Sequence, residues 1–415
     1  MRNQYDLVII GAGIAGSALA AVMARAGKEV LLLEQTTAYP DIVRGEVMTQ
    51  WGVKEARTLG LYDILLGAGA HHVTRHVGYD EVLPPSVAEQ AASDLGVALP
   101  GVPGQLALGH PKHRQALLDA AIGAGAQARR GVRIATIAVG PRPTVEFEND
   151  GDRIAVRARL VVGADGRNSM ARQSAGITLK QDRPRNHMGG ILVENADGWD
   201  ANVQTFGSNN DLFFAIFPQG HGRVRVYGVW SLEQRSRFTG TNAVSNFLGA
   251  FRLPCCPRAE HIAAGTPAGP LLSFLNNESN ATMLAGEGIV LVGDAGGWSD
   301  PVIGQGLASA YRDARIVSDI LLSAVEWAPQ MFAPYETERH ERSKRLAYTA
   351  ELITRLFADF DEDCRRRRSR FFERLSSDPA IGAVLAAVSL GPDGVPPETF
   401  TAEYRSYVLG TPATA

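Results

Sequence analysis

Asp6-Leu7-Val8-Ile9-Ile10-Gly11-Ala12-Gly13-Ile14-Ala15-Gly16 is the stretch on which the fold turns. Leu7 to Ile10 is an unbroken apolar run, the mark of a short strand buried on both faces. Three glycines follow at GxGxxG spacing, and Gly16 to Ala26 then takes helical spacing. Gly11 permits the tight turn, Gly13 lets the backbone approach a pyrophosphate, and Gly16 brings the helix close to the strand. The phosphates would lie at the positive end of that helix, against free N–H groups, which makes Ile14 and Ala15 candidates as well. Glu29 to Glu34 (EVLLLE) is a second buried strand. Glu34 ends it about twenty residues on, where a carboxylate accepts hydrogen bonds from a ribose diol, with Gln35 beside it. The unit predicted is a Rossmann-type βαβ that binds a dinucleotide. These residues leave NAD and FAD open.

Length and composition bound the rest. A chain of 415 residues suggests two or three domains, and 45% hydrophobic with 20% charged residues is an ordinary globular balance. A net charge of −3 gives no electrostatic reason to expect nucleic acid. The three cysteines, Cys255, Cys256 and Cys364, form no C-x-x-C, so neither a disulfide framework nor a zinc site is expected and a reducing cytoplasm is the expected compartment. Leu7 to Ala24 is apolar, but its glycines and short polar start argue for the βα turn over a leader or an anchor. No integral membrane association is expected, and a monomer or homodimer is.

Further along, Trp51 to Leu66 and His113 to Ala126 read as helices, while Gly78 to Pro103 loosens into strands and loops. Leu160 to Val162 is another buried strand. From Asn186 to Leu232 the period becomes two (VQTFG, LFFAIFP, RVRVYGVW), the pattern of a sheet with one covered face. The buried-strand pattern resumes at Gly288, a helix is predicted from about Gln305 to Ser323, and the tail from Pro334 is largely helical. The division expected is a nucleotide domain over 1–177 and 281–330, with an excursion at about 78–106, a β-sheet substrate domain over 178–280, and a helical region over 331–415. The run Arg365 to Arg368 follows Asp359, Asp361, Glu362 and Asp363, which predicts a solvated, self-paired helix face. His71, His72, His76, His110 and His113 do not share a metal-binding face, so no metal is expected.

Two later stretches select the cofactor. Gly163-Ala164-Asp165-Gly166-Arg167-Asn168-Ser169 resembles the "DG" motif of the single-component FAD-dependent aromatic hydroxylases, the para-hydroxybenzoate hydroxylase-like flavoprotein monooxygenases. Val292-Gly293-Asp294-Ala295, then Asp300-Pro301-Val302-Ile303-Gly304-Gln305-Gly306-Leu307, is similar to their "GD" motif and flavin loop. The resemblance implies an α/β fold in which a Rossmann-type FAD-binding domain carries a mixed β-sheet substrate domain and a helical C-terminal region. It implies that Asp294, beside Gly293, accepts from the ribityl hydroxyls, that Gly304 and Gly306 let backbone amides approach the flavin ring, and that Pro301, Gln305 and Leu307 of the same loop also bind the cofactor. It implies that Asp165 and Gly166 support the cofactor, that Arg44 contacts it, and more loosely that His110 and Arg114 do.

The activity implied is a monooxygenase using NADPH or NADH and O2, which hydroxylates or epoxidises an aromatic or polycyclic small molecule through a flavin C4a-hydroperoxide. No catalytic acid or base is identifiable. Nor is there a second GxGxxG, so NAD(P)H is expected to bind in a surface groove. Along LFFAIFP, Leu212, Phe214 and Ile216 share one face, and Phe213, Ala215 and Phe217 the other. Phe214 and Ile216, with Pro301, are the candidate substrate contacts. One departure matters: Ala308 stands where many relatives have Asn. PVIGQGL is also similar to geranylgeranyl-reductase-like flavoproteins, which makes a flavin-dependent double-bond reductase the alternative. The W-x-W-x-I-P stretch of the flavin-dependent halogenases is absent.

Overall fold

The computed structural model describes residues 2–411, and two large sheets organise them. The glycine turn belongs to the first. Gln4–Ile10 lies at its centre, parallel to Val30–Glu34 on one side and to Asp152–Gly163 on the other. Gln127–Arg130 and Ile289–Leu291 extend it in parallel at either side, and an antiparallel ribbon branches from Asp152–Gly163. Central parallel strands must be covered on both faces, which is why Leu7 to Ile10 shows no alternation. The helix Ile14–Arg25 is covered nearly all round, since its small residues let it sink between sheet and neighbours. Gly16 is the closest contact: a Cβ there would lie 2.1 Å from the Gly11 carbonyl oxygen.

The second sheet has eight strands, with Asn186–Glu194, Arg223–Ser231, Leu212–Gly220 and Val203–Asn209 as its antiparallel body. Arg75–Gly78, from the predicted excursion, pairs parallel with Val203–Asn209. Both faces of this sheet are covered, against the single covered face expected. Phe214, Ile216, Val226 and Trp230 pack on one side with the helix Ala243–Gly249. Phe213, Ala215, Tyr227 and Val229 pack on the other with Val302, Ile303 and the C-terminal helices. This corrects the expected substrate contacts: Phe214 and Ile216 are core residues turned away from the cleft, because strand alternation puts them on the face that Ala243–Gly249 closes.

The C-terminal region is helical, with Ala333–Phe357, Glu362–Leu375, Ala383–Leu390 and Ala402–Leu409 as its α-helices. Its arginine run is only half self-paired. Arg366 and Arg367 meet Glu362, Asp363, Asp359 and Asp361 as the spacing predicts. Arg368, however, is 2% exposed and binds Asp80 at 2.8 Å and Glu81 at 2.7 Å, and Arg365 takes the second Glu81 oxygen at 2.7 Å. A helix face that looks solvated in one dimension is a clamp onto the excursion near residue 80. Among the described residues no helix is long and apolar enough to cross a membrane, and no three His, Cys, Asp or Glu side chains gather as a metal site.

Candidate active site

A continuous cleft of about 940 Å³ runs from the glycine turn, past Asp165 and Asp294, to the inner face of the second sheet. Every candidate cofactor residue lines it except Gly16, whose work is packing against the turn. Gly11 has φ +98°, and a Cβ on it would meet the Ala164 carbonyl oxygen at 2.5 Å, so the turn and the Asp165 loop are pressed together. Around Gly13, Gly166, Gly304 and Gly306, by contrast, a Cβ would meet nothing within 4 Å. These four glycines face open cleft, a cradle that side chains would fill and that suits an extended dinucleotide.

At the near end, the buried Glu34 carboxylate accepts from the Ala12 amide at 2.9 Å and stands 3.5 Å from Arg114. Arg114 in turn lies over the Tyr39 ring at 3.9 Å. His110 also lines the cleft; burial, then the nearby positive charges, push it down to about 3, so it is a neutral imidazole there.

Midway, Asp294 faces Arg167 at 3.3 Å, and Arg167 covers Trp298 at 4.9 Å. Arg44 lines the same stretch, lowered by burial and by Arg167 and raised by Asp294. Asp165 lines the cleft too, but its carboxylate is committed locally: it accepts from the Ser169 hydroxyl and from the Ala171 amide at 3.1 Å, fixing the loop. The Gln305 side chain is similarly occupied, accepting from Trp51 Nε1 at 2.6 Å and donating to the Ile303 carbonyl at 2.6 Å. Gly306–Ser323 starts here, and its first N–H groups have no intrahelical acceptor. Ala308 has a packing reason. It lies so close to Gly52 that a Cβ at 52 would come within 2.6 Å of the Ala308 Cβ, leaving no room for Asn.

At the far end the walls become apolar: Met188, Phe206, Phe213, Ala215, Phe217 and Val229, closed by Pro301 to Ile303 and Val388. Two ionisable groups interrupt them. The Tyr227 hydroxyl donates to Glu46, and Glu46 faces Arg225, which also binds Asp41 at 2.5 Å. Burial raises Glu46 although Arg225 opposes it, and burial with Glu46 raises Tyr227 well above its ordinary value.

Sequence reasoning passed over Glu46, Tyr227 and Arg225. The signal available was Arg225 itself, a charge at a covered position of RVRVYGVW, which needs a buried partner. It also passed over the support beneath Gly293. There Asp313 accepts from the Gly293 amide at 2.8 Å and pairs with the buried Arg339 and Arg342, while Arg339 donates to the Gly293 and Gly297 carbonyls at 2.9 Å.

Residues 4–350 match the model of the FAD binding domain family, and the chain belongs to that family of flavin-dependent oxidoreductases. It is 24% identical over 396 residues to squalene monooxygenase of Mus musculus, covering 88% of this chain but 64% of that protein, and so under two thirds of its length. Against digeranylgeranylglycerophospholipid reductase 1 of Methanococcoides burtonii it is 24% identical over 397 residues, 88% of this chain and 86% of the other. In fold it matches p-nitrophenol 4-monooxygenase of Pseudomonas putida with TM-score 0.78 at 16% identity, over 95% of this chain and 99% of that one. A Pseudomonas aeruginosa protein solved with 2-aminobenzoylacetate matches with TM-score 0.72 at 21% identity, over 89% and 100%. The FAD assigned by the family fits the glycine cradle, Glu34 and the helix start at Gly306.

Proposed function

We propose that the protein is an NAD(P)H-dependent FAD monooxygenase that hydroxylates or epoxidises an aromatic or polycyclic small molecule. The observation that carries this reading is a single cleft, polar and glycine-lined at one end and walled by aromatic side chains at the other. FAD held along it would accept hydride from NAD(P)H and activate O2 for transfer to a substrate at the far end. The chain's own part is binding, orientation and exclusion of water. Glu34 and the helix start at Ile14 would hold the dinucleotide half, and Asp294 would hold the flavin's polyol chain. The positive end of Gly306–Ser323 would favour negative charge on the ring. Phe213, Phe217 and Met188 keep the reacting region dry. A lone glycine fingerprint supports a transient surface site for NAD(P)H, with reduction fastest once substrate is bound.

The alternative is a flavin-dependent double-bond reductase, favoured by the likeness to the archaeal lipid reductase and by PVIGQGL. Turnover under heavy-isotope oxygen separates the two. One labelled oxygen in the product is the outcome expected. Product formed without oxygen, two hydrogens heavier and unlabelled, would hand the assignment to the reductase.

A further inference from the structure

Asp300 opens the flavin loop, and its two carboxylate oxygens have different surroundings. One caps the turn Pro301–Ile303 by accepting from the Val302 amide at 2.9 Å. The other is buried without a hydrogen bond and stands 3.6 Å from Arg185 Nη1, which has none either. The second terminal nitrogen of Arg185 donates to Glu278 at 3.0 Å. Glu278 is 5% exposed and Asp300 0%, so two buried carboxylates face one guanidinium. A small sheet brings them together. Leu179–Gln181, Ser279–Ala281 and Gly297–Trp298 pair side by side, and Asp182, Glu278 and Asp300 stand just beyond the same end of it. The backbone there is fixed: the Arg185 amide donates to the Asn276 carbonyl at 2.9 Å and the Asp182 amide to the Glu278 carbonyl at 3.1 Å, which leaves the guanidinium as the part able to shift. The other charges around the pair are Asp182 beside Glu278, Arg167 toward Asp300, and Asp359, which also feels Arg185. Burial raises both carboxylates, but the Val302 amide, Arg185 and Arg167 all oppose it at Asp300. At Glu278 burial is opposed by Arg185 and reinforced by Asp182 and Asp300, which leaves it raised to about 7. Glu278 is therefore the member whose proton comes and goes near neutrality.

We propose that Arg185 is a positioning residue that holds the flavin loop through Asp300, and that Glu278 competes for it, so that the grip on FAD is set by whether Glu278 carries its proton. With Glu278 protonated, Arg185 is the counter-charge of Asp300 alone, and the turn Pro301–Ile303 is held firmly in the cleft wall. Once Glu278 ionises it shares Arg185, and Asp300 is left leaning on the Val302 amide and the field of Arg167. Two anions and one cation in a desolvated site also yield more readily than a matched pair. FAD and the proton on Glu278 therefore favour each other, and the coupling is reciprocal. This rests on the FAD that the family assigns and not on the fate of oxygen, so this test and the oxygen labelling succeed or fail separately.

The test is the FAD dissociation constant of the full chain, measured by flavin fluorescence at about pH 6 and about pH 8, either side of the Glu278 value of about 7. The expected result is binding roughly three- to tenfold weaker at the higher pH, within the tenfold per pH unit that one proton allows. Glu278→Gln, nearly isosteric and always neutral, should bind FAD at both pH values as tightly as the parent does at the lower one. Comparing it with the parent also cancels Glu46, the other carboxylate beside the cleft that burial raises, because that group is unchanged. Arg185→Met should bind weakly at both pH values with no slope between them, and Arg185→Lys should recover part of the affinity and part of the slope. An arginine that merely braced the fold would lower affinity and leave the slope intact. The proposal is overturned by a parent that binds FAD equally at both pH values or more tightly at the higher one. It is overturned as well by a slope that survives in Glu278→Gln or in Arg185→Met. Failure of Glu278→Gln to fold would also overturn it, since a neutral side chain at 278 is the state the parent already holds at the lower pH.

Discussion

Replacing Asp294 by Ala removes a charged acceptor from the middle of the cleft and leaves Arg167, 3.3 Å away, without its partner. A charge-assisted hydrogen bond to a ribityl hydroxyl is worth roughly 1.5–3 kcal/mol, so FAD affinity should fall about tenfold or more. Flavin fluorescence titration measures this directly, and parental affinity in the variant would remove Asp294 from the site. His113 makes a second prediction at this scale. It is fully buried, bonded through Nε2 to the Tyr311 hydroxyl at 2.6 Å, and burial pushes it down to about 3. The unfolded chain would take up that proton near the ordinary value of 6.5. Between pH 6.5 and about 3 the unfolded state therefore holds more protons, and stability drains away as pH falls, by up to about 1.4 kcal/mol per pH unit. His113→Asn should flatten this part of the pH–stability curve, whatever it costs at neutral pH; an identical acid slope in denaturant titrations would contradict the assignment. Single residues were legible where the chemistry is local. Gly11, Gly13 and Glu34 lie within one βαβ unit, so their spacing specifies their geometry. Glu46 and Tyr227 meet across 181 positions, and no local pattern reports such a pair.

At the scale of elements, the loop that presents Gly293 and Asp294 is held from behind. Asp313 on Gly306–Ser323 takes the Gly293 amide, and the long helix Ala333–Phe357 contributes Arg339, Arg342 and a Tyr335 hydroxyl that donates to the Leu291 carbonyl at 2.9 Å. The motif Val292-Gly293-Asp294-Ala295 was readable from sequence, but what fixes it arrives from helices that follow it in the chain. Their charges look like ordinary surface pairs until packing buries them. Arg339→Met would strip two carbonyls of their donor and leave Asp313 short of a partner inside the core. Breaking a buried pair in this way costs about 3–5 kcal/mol. The expected outcome is a lower melting temperature and faster FAD release, although residue 339 lies behind the loop, with partial recovery in Arg339→Lys. Wild-type FAD release from Arg339→Met would show that the loop holds its shape unaided. The same reasoning explains the strand LFFAIFP. Alternation defines its two faces, but both are apolar, so only the positions of Ala243–Gly249 and the C-terminal helices decide that Phe213 and Phe217, rather than Phe214 and Ile216, look into the cleft.

Across the whole molecule, the C-terminal helices join what the two sheets leave apart. They pack on the inner face of the second sheet and on Val302 and Ile303 of the flavin loop, and Val388 reaches the cleft wall. The Arg368 clamp ties this assembly to the strand–loop excursion near residue 80, 288 positions away in sequence. Asp80 lies at 1% exposure with burial raising it against Arg368, so an Arg368→Ala chain would hold a desolvated carboxylate with only the Val82 and Ser208 amides to offset it. The cost should again be about 3–5 kcal/mol, and it should be concentrated where the clamp acts. Amide exchange should quicken in Glu362–Leu375 and in the segment after Arg75–Gly78, while Gln4–Ile10 and the glycine turn stay protected. Asp80→Asn combined with Arg368→Met should recover part of the loss, since it removes both charges but takes the acceptor from one of the two amides, Val82 and Ser208, that Asp80 serves. If the single variant unfolds uniformly, with the first sheet exchanging as fast as the clamp, the C-terminal helices are one cooperative unit with the nucleotide fold. If exchange stays local, they form a separately yielding wall, one that reaches the apolar end of the cleft through Val388.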